Sequence, residues 1–183
     1  GRRDPGPAIL PYNGAWPKIA DDAFVAANCS IIGDVTIESG VGVWFNCVIR
    51  GDERKVTIGA RTNIQDGAVI HVHSLKQGTY IGRDVTVGHM ALIHAATLED
   101  GAFVGMGAIV LDEAVVEGGA LLAAGALLAP GKRVPRGELW AGRPARFVRK
   151  LTDVDLDGFT LTVDNYAKRA QAYLAERRAA MAV

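Results

Sequence analysis

Cysteine and histidine are scarce in this chain: two and four among 183 residues. Aromatic residues make up only 7%. Neither sign of charge dominates, because 20 Lys and Arg meet 20 Asp and Glu. Each shortage excludes something. Two cysteines, Cys29 and Cys47, make neither a disulfide framework nor a zinc knuckle, and read as small buried thiols of a cytosolic protein. Zero net charge argues against a nucleic-acid partner bound by phosphate neutralisation. The longest apolar stretch, 118–131, is 14 residues long and rich in glycine, too short to span a bilayer. No apolar region follows Arg2 and Arg3, so no secretory signal is expected and the expected location is cytoplasmic. The length suits one main domain. With 22 Gly and 7 Pro there is still no Gly-X-Y period, and a hydrophobic content of 49% excludes disorder.

What the chain does have is a period of six. Aliphatic residues recur at Val25, Ile31, Ile37, Val43 and Ile49. They resume at Ile58, Ile64 and Ile70, then at Ile81, Val87 and Ile93. A last run goes from Leu98 through Val104, Val110, Val116, Leu122 and Leu128 to Val134. No α-helix has this period, and no single strand stays in phase for so long. The period predicts a parallel β-helix in which each hexad is one short strand and one corner, with its anchor pointing inward. Three hexads make one coil, so the 18 anchors predict about six coils, stacked about 4.8 Å apart. Cys29 and Cys47 are one coil apart and should stack. After Val134 the pattern ends, and Val163, Tyr166, Ala167, Ala170, Tyr173 and Leu174 follow helical spacing. The expected organisation is an extended segment at 1–22, a β-helix at 23–135, an exit segment at 136–161 and an α-helix at 162–183. That helix could pack on its own subunit or on a neighbour.

The period breaks three times. Ile49 to Ile58 spans nine residues, Ile70 to Ile81 eleven, and Ile93 to Leu98 five. Insertions in a β-helix must bulge outward, and loops on a rigid scaffold carry function disproportionately. The first insertion carries Arg50-Gly51-Asp52-Glu53, the second follows His71-Val72-His73, and the deletion follows His94. Asn63-Ile64-Gln65-Asp66 lies between the first two. His71 and His94 each follow a face-three anchor by one residue, so they point outward one coil apart. Two imidazoles so placed can share a metal. His89 follows a face-two anchor by two residues and lies toward another edge. A threefold oligomer brings those edges together, so the arithmetic predicts a three-His site completed between subunits. His73 shares a strand face with His71, but its offset does not match that of His94. It stays an open alternative as a ligand.

These residues carry a recognisable pattern. Val43-Trp44-Phe45, Arg50-Gly51-Asp52-Glu53, Asn63-Ile64-Gln65-Asp66-Gly67, Val69-Ile70-His71, Gly88-His89 with His94, Gly105-Met106-Gly107 and Trp140-Ala141-Gly142-Arg143-Pro144-Ala145 resemble the γ-class carbonic anhydrase family of hexapeptide-repeat proteins. The resemblance runs from about Ala23 to the C-terminal helix. It implies an all-β, left-handed parallel β-helix followed by an α-helix, assembled as a homotrimer. Zinc, or iron or cobalt, is implied at each subunit interface, with His71 and His94 of one chain and His89 of the next as ligands. Gln65 is implied to hydrogen-bond the metal's water. Arg50, Asp52 and Asp66, with Asn63 of the same motif, are implied at the subunit interface. Glu53 resembles the proton-transfer carboxylate, and Tyr166 the helix tyrosine that some members direct at the site.

The implied reaction is the reversible hydration of carbon dioxide to bicarbonate. Three neutral imidazoles leave an open position on the metal, where the pKa of water falls to about 7, as in carbonic anhydrases of another class. Turnover also requires a carboxylate to carry a proton to buffer. The sequence departs from some members in one loop. Ser74-Leu75-Lys76-Gln77-Gly78 is short and has no carboxylate, which points to slower proton shuttling and weak activity. Two rivals stay open. One is an acyl-CoA thioesterase or hexapeptide acyltransferase, favoured by the basic stretch 132–150. The other is a catalytically silent trimer that retains the site.

Overall fold

The computed structural model describes residues 5–181. Arg2, Arg3 and the last two residues of the predicted helix lie outside the described residues. All 18 anchors are buried. They stack in parallel register on three faces. Face one carries Ile37, Ile58, Ile81, Leu98, Val116 and Val134. Face two carries Val25, Val43, Ile64, Val87, Val104 and Leu122. Face three carries Ile31, Ile49, Ile70, Ile93, Val110 and Leu128.

The solenoid has about seven turns rather than six. The strands Ala8–Leu10 and Lys18–Ile19 pair in parallel with the strand Ser30–Ile37 and begin faces three and one. At the other end Trp140 pairs with Leu122 and completes face two. The exit segment is therefore structured: the strands Glu138–Ala141 and Arg146–Lys150 form an antiparallel hairpin.

Each hexad also turns a second residue inward, two before the anchor, because side chains alternate along a strand. That position holds small residues such as Ala68, Ala91, Ala102 and Ala108, all buried. Cys29 and Cys47 belong to this row, and both are buried and free. A hydrogen bond from Cys47 holds the Cys29 thiol below the usual range, and the same contact with burial pushes Cys47 up. Three residues after most anchors the chain takes a left-handed conformation that turns the corner. Glycine or asparagine often occupies it, as at Asn28, Asn46, Gly67 and Gly101.

The three breaks are absorbed differently. In the strand Val48–Ile58, Gly51 pairs with Gly33 and Val56 with Val35, so residues 52–55 bulge opposite Asp34 alone. The second insertion is a surface loop, closed where the His73 N–H donates to the Gln77 carbonyl at 3.1 Å. At the deletion, Ala95 takes a φ of 48° and tightens the corner after His94.

The C-terminal helix runs from Asp153–Met181, starting nine residues before the predicted 162. Its start is set by capping rather than by apolar spacing. The Asp155 N–H donates to Thr152 Oγ1 at 3.3 Å, and the Thr152 N–H donates to Asp155 Oδ2 at 2.7 Å. The helix packs on its own subunit, along face two. Val163, Ala170 and Leu174 are buried there. Tyr166 stands edge-on to Trp44 with ring centres 5.3 Å apart. Arg61 Nη2 donates to Asp164 Oδ1 at 2.6 Å and Arg177 Nη1 to the Val25 carbonyl at 2.8 Å. Among the described residues no helix is long and apolar enough to cross a membrane.

Candidate metal centre

His71 and His94 are register partners on adjacent rungs of face three. Their ring centres are 5.3 Å apart. Each is held by a carboxylate. His71 Nε2 lies 3.0 Å from Asp52 Oδ1, and the other Asp52 oxygen pairs with Arg50. His94 Nδ1 lies 2.5 Å from Asp112 Oδ1. Burial opposes ionisation of both aspartates. For Asp52, hydrogen bonds from His71 and Arg50 outweigh it; for Asp112, the bond from His94 and the charges of His94, Lys76 and His73 do so. Both carboxyls therefore lie below the usual range and serve as acceptors at neutral pH.

His89 sits on the corner between faces two and three. Its Nδ1 lies 2.9 Å from Asp66 Oδ2, and its Nε2 3.4 Å from the Tyr166 hydroxyl. Burial raises the pKa of that tyrosine, so its hydroxyl keeps its proton at neutral pH. Gln65 is buried beneath this corner. Its Nε2 donates to Asn63 Oδ1 at 3.0 Å, and its Oε1 accepts the His89 backbone N–H at 3.2 Å. Asn63 Nδ2 in turn donates to Thr86 Oγ1 at 3.0 Å. With two amide protons on Gln65 Nε2, one is left for a ligand. An apolar groove of about 450 Å³ opens beside Gln65, His89 and Tyr166, walled by Phe103, Met106 and Leu121.

The expected residues thus form two half-sites on one chain. His71, His94, Asp52 and Arg50 make one; His89, Asp66, Gln65, Asn63 and Tyr166 make the other. No ring contact or hydrogen bond joins them, and among the described residues no group of three or more His, Cys, Asp or Glu could hold a metal. Arg50 and Asp66 accordingly do not meet within the chain. Glu53 is exposed on the bulge and makes no ion pair among the described residues. His73 stands edge-on to His94, with ring centres 6.4 Å apart. Its Nδ1 accepts the Leu75 N–H at 3.1 Å, inside the short loop.

Sequence reasoning missed Asp112. It sits two residues after the face-three anchor Val110, one rung beyond His94. The offset shared by His71 and His94 falls on Leu111 in the next rung, so only a search for carboxylates one residue beyond that offset could have found it.

The donor chemistry fits a divalent metal of the zinc, iron or cobalt type. Imidazole suits all three, and metal-bound histidines characteristically give their other ring nitrogen to a carboxylate. His94 and His89 both meet a carboxylate through Nδ1, which leaves Nε2 of His94 for a ligand; Nε2 of His89 faces the Tyr166 hydroxyl, and His71 meets Asp52 through Nε2.

No family model matches the chain. It is 45% identical over 165 residues to "Gamma carbonic anhydrase 1, mitochondrial" of Arabidopsis thaliana, covering 87% of this chain and 60% of that protein. It spans about 60% of the length of the plant relatives it matches. It is 42% identical over 167 residues to a carbonic anhydrase of Geobacillus kaustophilus, covering 91% of each. Among solved structures, a hexapeptide transferase family protein from Anaplasma phagocytophilum superposes with a TM-score of 0.87 at 46% identity, covering 91% of this chain and 98% of that one. The fold is thus the left-handed parallel β-helix of hexapeptide-repeat proteins. Within that class, the chain belongs to the γ-class carbonic anhydrase family.

Proposed function

We propose that the chain is one subunit of a metal-dependent carbonic anhydrase-type homotrimer that hydrates carbon dioxide reversibly to bicarbonate at three-His sites between subunits. One observation carries this reading. His71 and His94 stack on one face, while His89 lies on another edge with no route to them in its own chain. Two chains are needed to bring His89 to that pair. When bound, a divalent metal on three neutral imidazoles acts as a Lewis acid that brings the pKa of water to near neutrality. Zinc is the favoured ion, with iron or cobalt as substitutes.

The chain's own residues do the rest. Gln65, fixed at both ends of its amide, keeps a second N–H that would be available to an oxygen held beside His89. Tyr166 faces His89 Nε2 from the groove side and would yield that atom to a bound metal. Arg50, Asp52, Asp66 and Asn63 line the two edges that meet. Glu53, exposed on its bulge, passes protons to buffer. Two free buried thiols fit a reducing compartment such as the cytoplasm.

Three of the seven cations that favour the acyl-CoA reading have carboxylate partners. Within 132–150, Arg133 pairs with Glu117, Arg149 with Asp155 and Lys150 with Glu138. Lys132, Arg136, Arg143 and Arg146 make no ion pair with a carboxylate among the described residues, so metal loading decides between the readings.

Metal content and hydration rate test the reading together. Protein purified anaerobically and reconstituted with zinc or iron is expected to hold about one metal per chain and to hydrate carbon dioxide. Fewer than about 0.3 metals per chain sinks the site. Full loading without hydration above buffer leaves the silent trimer.

Glu53→Gln separates proton transfer from the rest. At low buffer concentration kcat is expected to fall about 100-fold, within the range for general acid–base groups, while kcat/KM holds. Added imidazole should restore kcat. An equal fall in both parameters, without rescue, removes Glu53 from the proton path.

A further inference from the structure

We infer that Asp112 is the positioning residue for His94, fixing its ring so that Nε2 faces outward as the ligand atom, and that the short loop 74–78 braces Asp112. The inference rests on the metal reading above.

Asp112 follows the strand Ile109–Val110, one rung past the strand Leu92–His94. Its side chain is only 17% exposed. Oδ1 lies 2.5 Å from His94 Nδ1. An ionised carboxylate can only accept, so the proton of the neutral imidazole sits on Nδ1 and the lone pair on Nε2. In water, a free imidazole exchanges between both tautomers and turns about its side-chain bonds. Here one oxygen settles both.

The other oxygen faces the loop. Lys76 Nζ lies 3.6 Å from Asp112 Oδ2, and His73 Nε2 lies 3.8 Å from it. Lys76 also reaches Glu113 at 3.4 Å. Gln77 Nε2 donates to the Ala95 carbonyl at 2.8 Å, tying the loop to the residue after His94. His73 is turned by the Leu75 N–H so that its Nε2 points to Asp112. The fourth histidine thereby acquires a place as part of the brace. The loop lacks a carboxylate of its own, and its cation and imidazole converge on one from the next rung.

A purely structural ion pair would give the same contacts, so the test reads the tautomer and the metal separately. The full chain, labelled with 15N-histidine and stripped of metal by chelator, has only four imidazoles to assign. Ring nitrogen shifts are expected to show His94 as the Nδ1–H tautomer. Asp112→Ala should release it to the mixture typical of free imidazole. Zinc affinity, measured by chelator competition, should fall about 10–100-fold in that variant. Asp112→Asn keeps an acceptor oxygen in place, so it should retain the tautomer and recover part of the affinity. If Asp112→Ala leaves both the tautomer and the zinc affinity unchanged in a chain that binds zinc, the inference is overturned and the metal reading stands. If the wild-type chain takes up no zinc, the metal reading falls and the inference with it.

Discussion

Alanine at His71 or at His89 is expected to abolish metal binding and hydration, and a mixture of the two inactive variants is expected to regain activity. Loss of a carboxylate behind a ligand costs about 10–100-fold in affinity, so loss of the ligand itself should cost roughly 100-fold or more. The recovery follows from the geometry. In a closed ring of three, each site takes His71 and His94 from one chain and His89 from the next. A site survives when a His89→Ala chain supplies the first pair and a His71→Ala chain supplies the third imidazole. Random exchange at equal concentrations should leave about one quarter of the sites intact, because the interface is head-to-tail.

A control fixes the meaning of this number. His71→Ala mixed with His94→Ala should regain nothing, since both positions lie on one face of one chain. Exchange itself can be followed by native mass spectrometry of differently tagged chains. Proven exchange without recovery in the first mixture rules out a shared site. Recovery in the control mixture would mean that His71 and His94 reach one site from different chains.

The parts of this picture legible in the sequence are those tied to a fixed count. The anchors lie six apart, so the faces, the stacking of His71 on His94 and the separation of His89 all follow from addition. The structure departs where another physics takes over. Ile9 and Ile19 join the solenoid through backbone pairing, but the nine residues between them keep no hexad. Trp140 keeps the period, six after Val134, yet is aromatic and so was not counted among aliphatic anchors. The helix begins where Thr152 and Asp155 cap it, ahead of its apolar stripe. Asp112 needed a question asked of the polar residues rather than the apolar ones: which carboxylate stands one rung beyond each histidine. Glu53 was visible as a candidate because its insertion breaks the count. Its role does not follow from the count, because the bulge leaves it exposed and without an ion pair among the described residues.

The bulge that presents Asp52 to His71 depends on two glycines, and this gives the largest expected effect on stability. Gly33 takes a φ of +78°, and a Cβ there would overlap the carbonyl of Gly51 on the next rung. Gly51 is equally confined, since its own Cβ would stand 2.5 Å from the Asp34 carbonyl. The rungs approach so closely here because four residues on one strand pass a single residue on the other. Gly33→Ala therefore carries two costs. The left-handed conformation costs an L-residue about 1–2 kcal/mol, and overpacking typically adds about 1–3 kcal/mol. A loss of about 2–5 kcal/mol is expected from urea midpoints at fixed protomer concentration, which matters for an oligomer. Gly107 takes a similar φ of +64° but has nothing within 4 Å of its Cβ position. Gly107→Ala should then show the conformational cost alone, about 1–2 kcal/mol. The difference between the two variants isolates the close approach. Gly33→Ala should also weaken zinc binding under conditions where it stays folded, because displaced Gly51 carries Asp52 away from His71. Equal midpoints for the two variants would show that the rungs relax around the new methyl group. In that case the bulge does not set the position of Asp52.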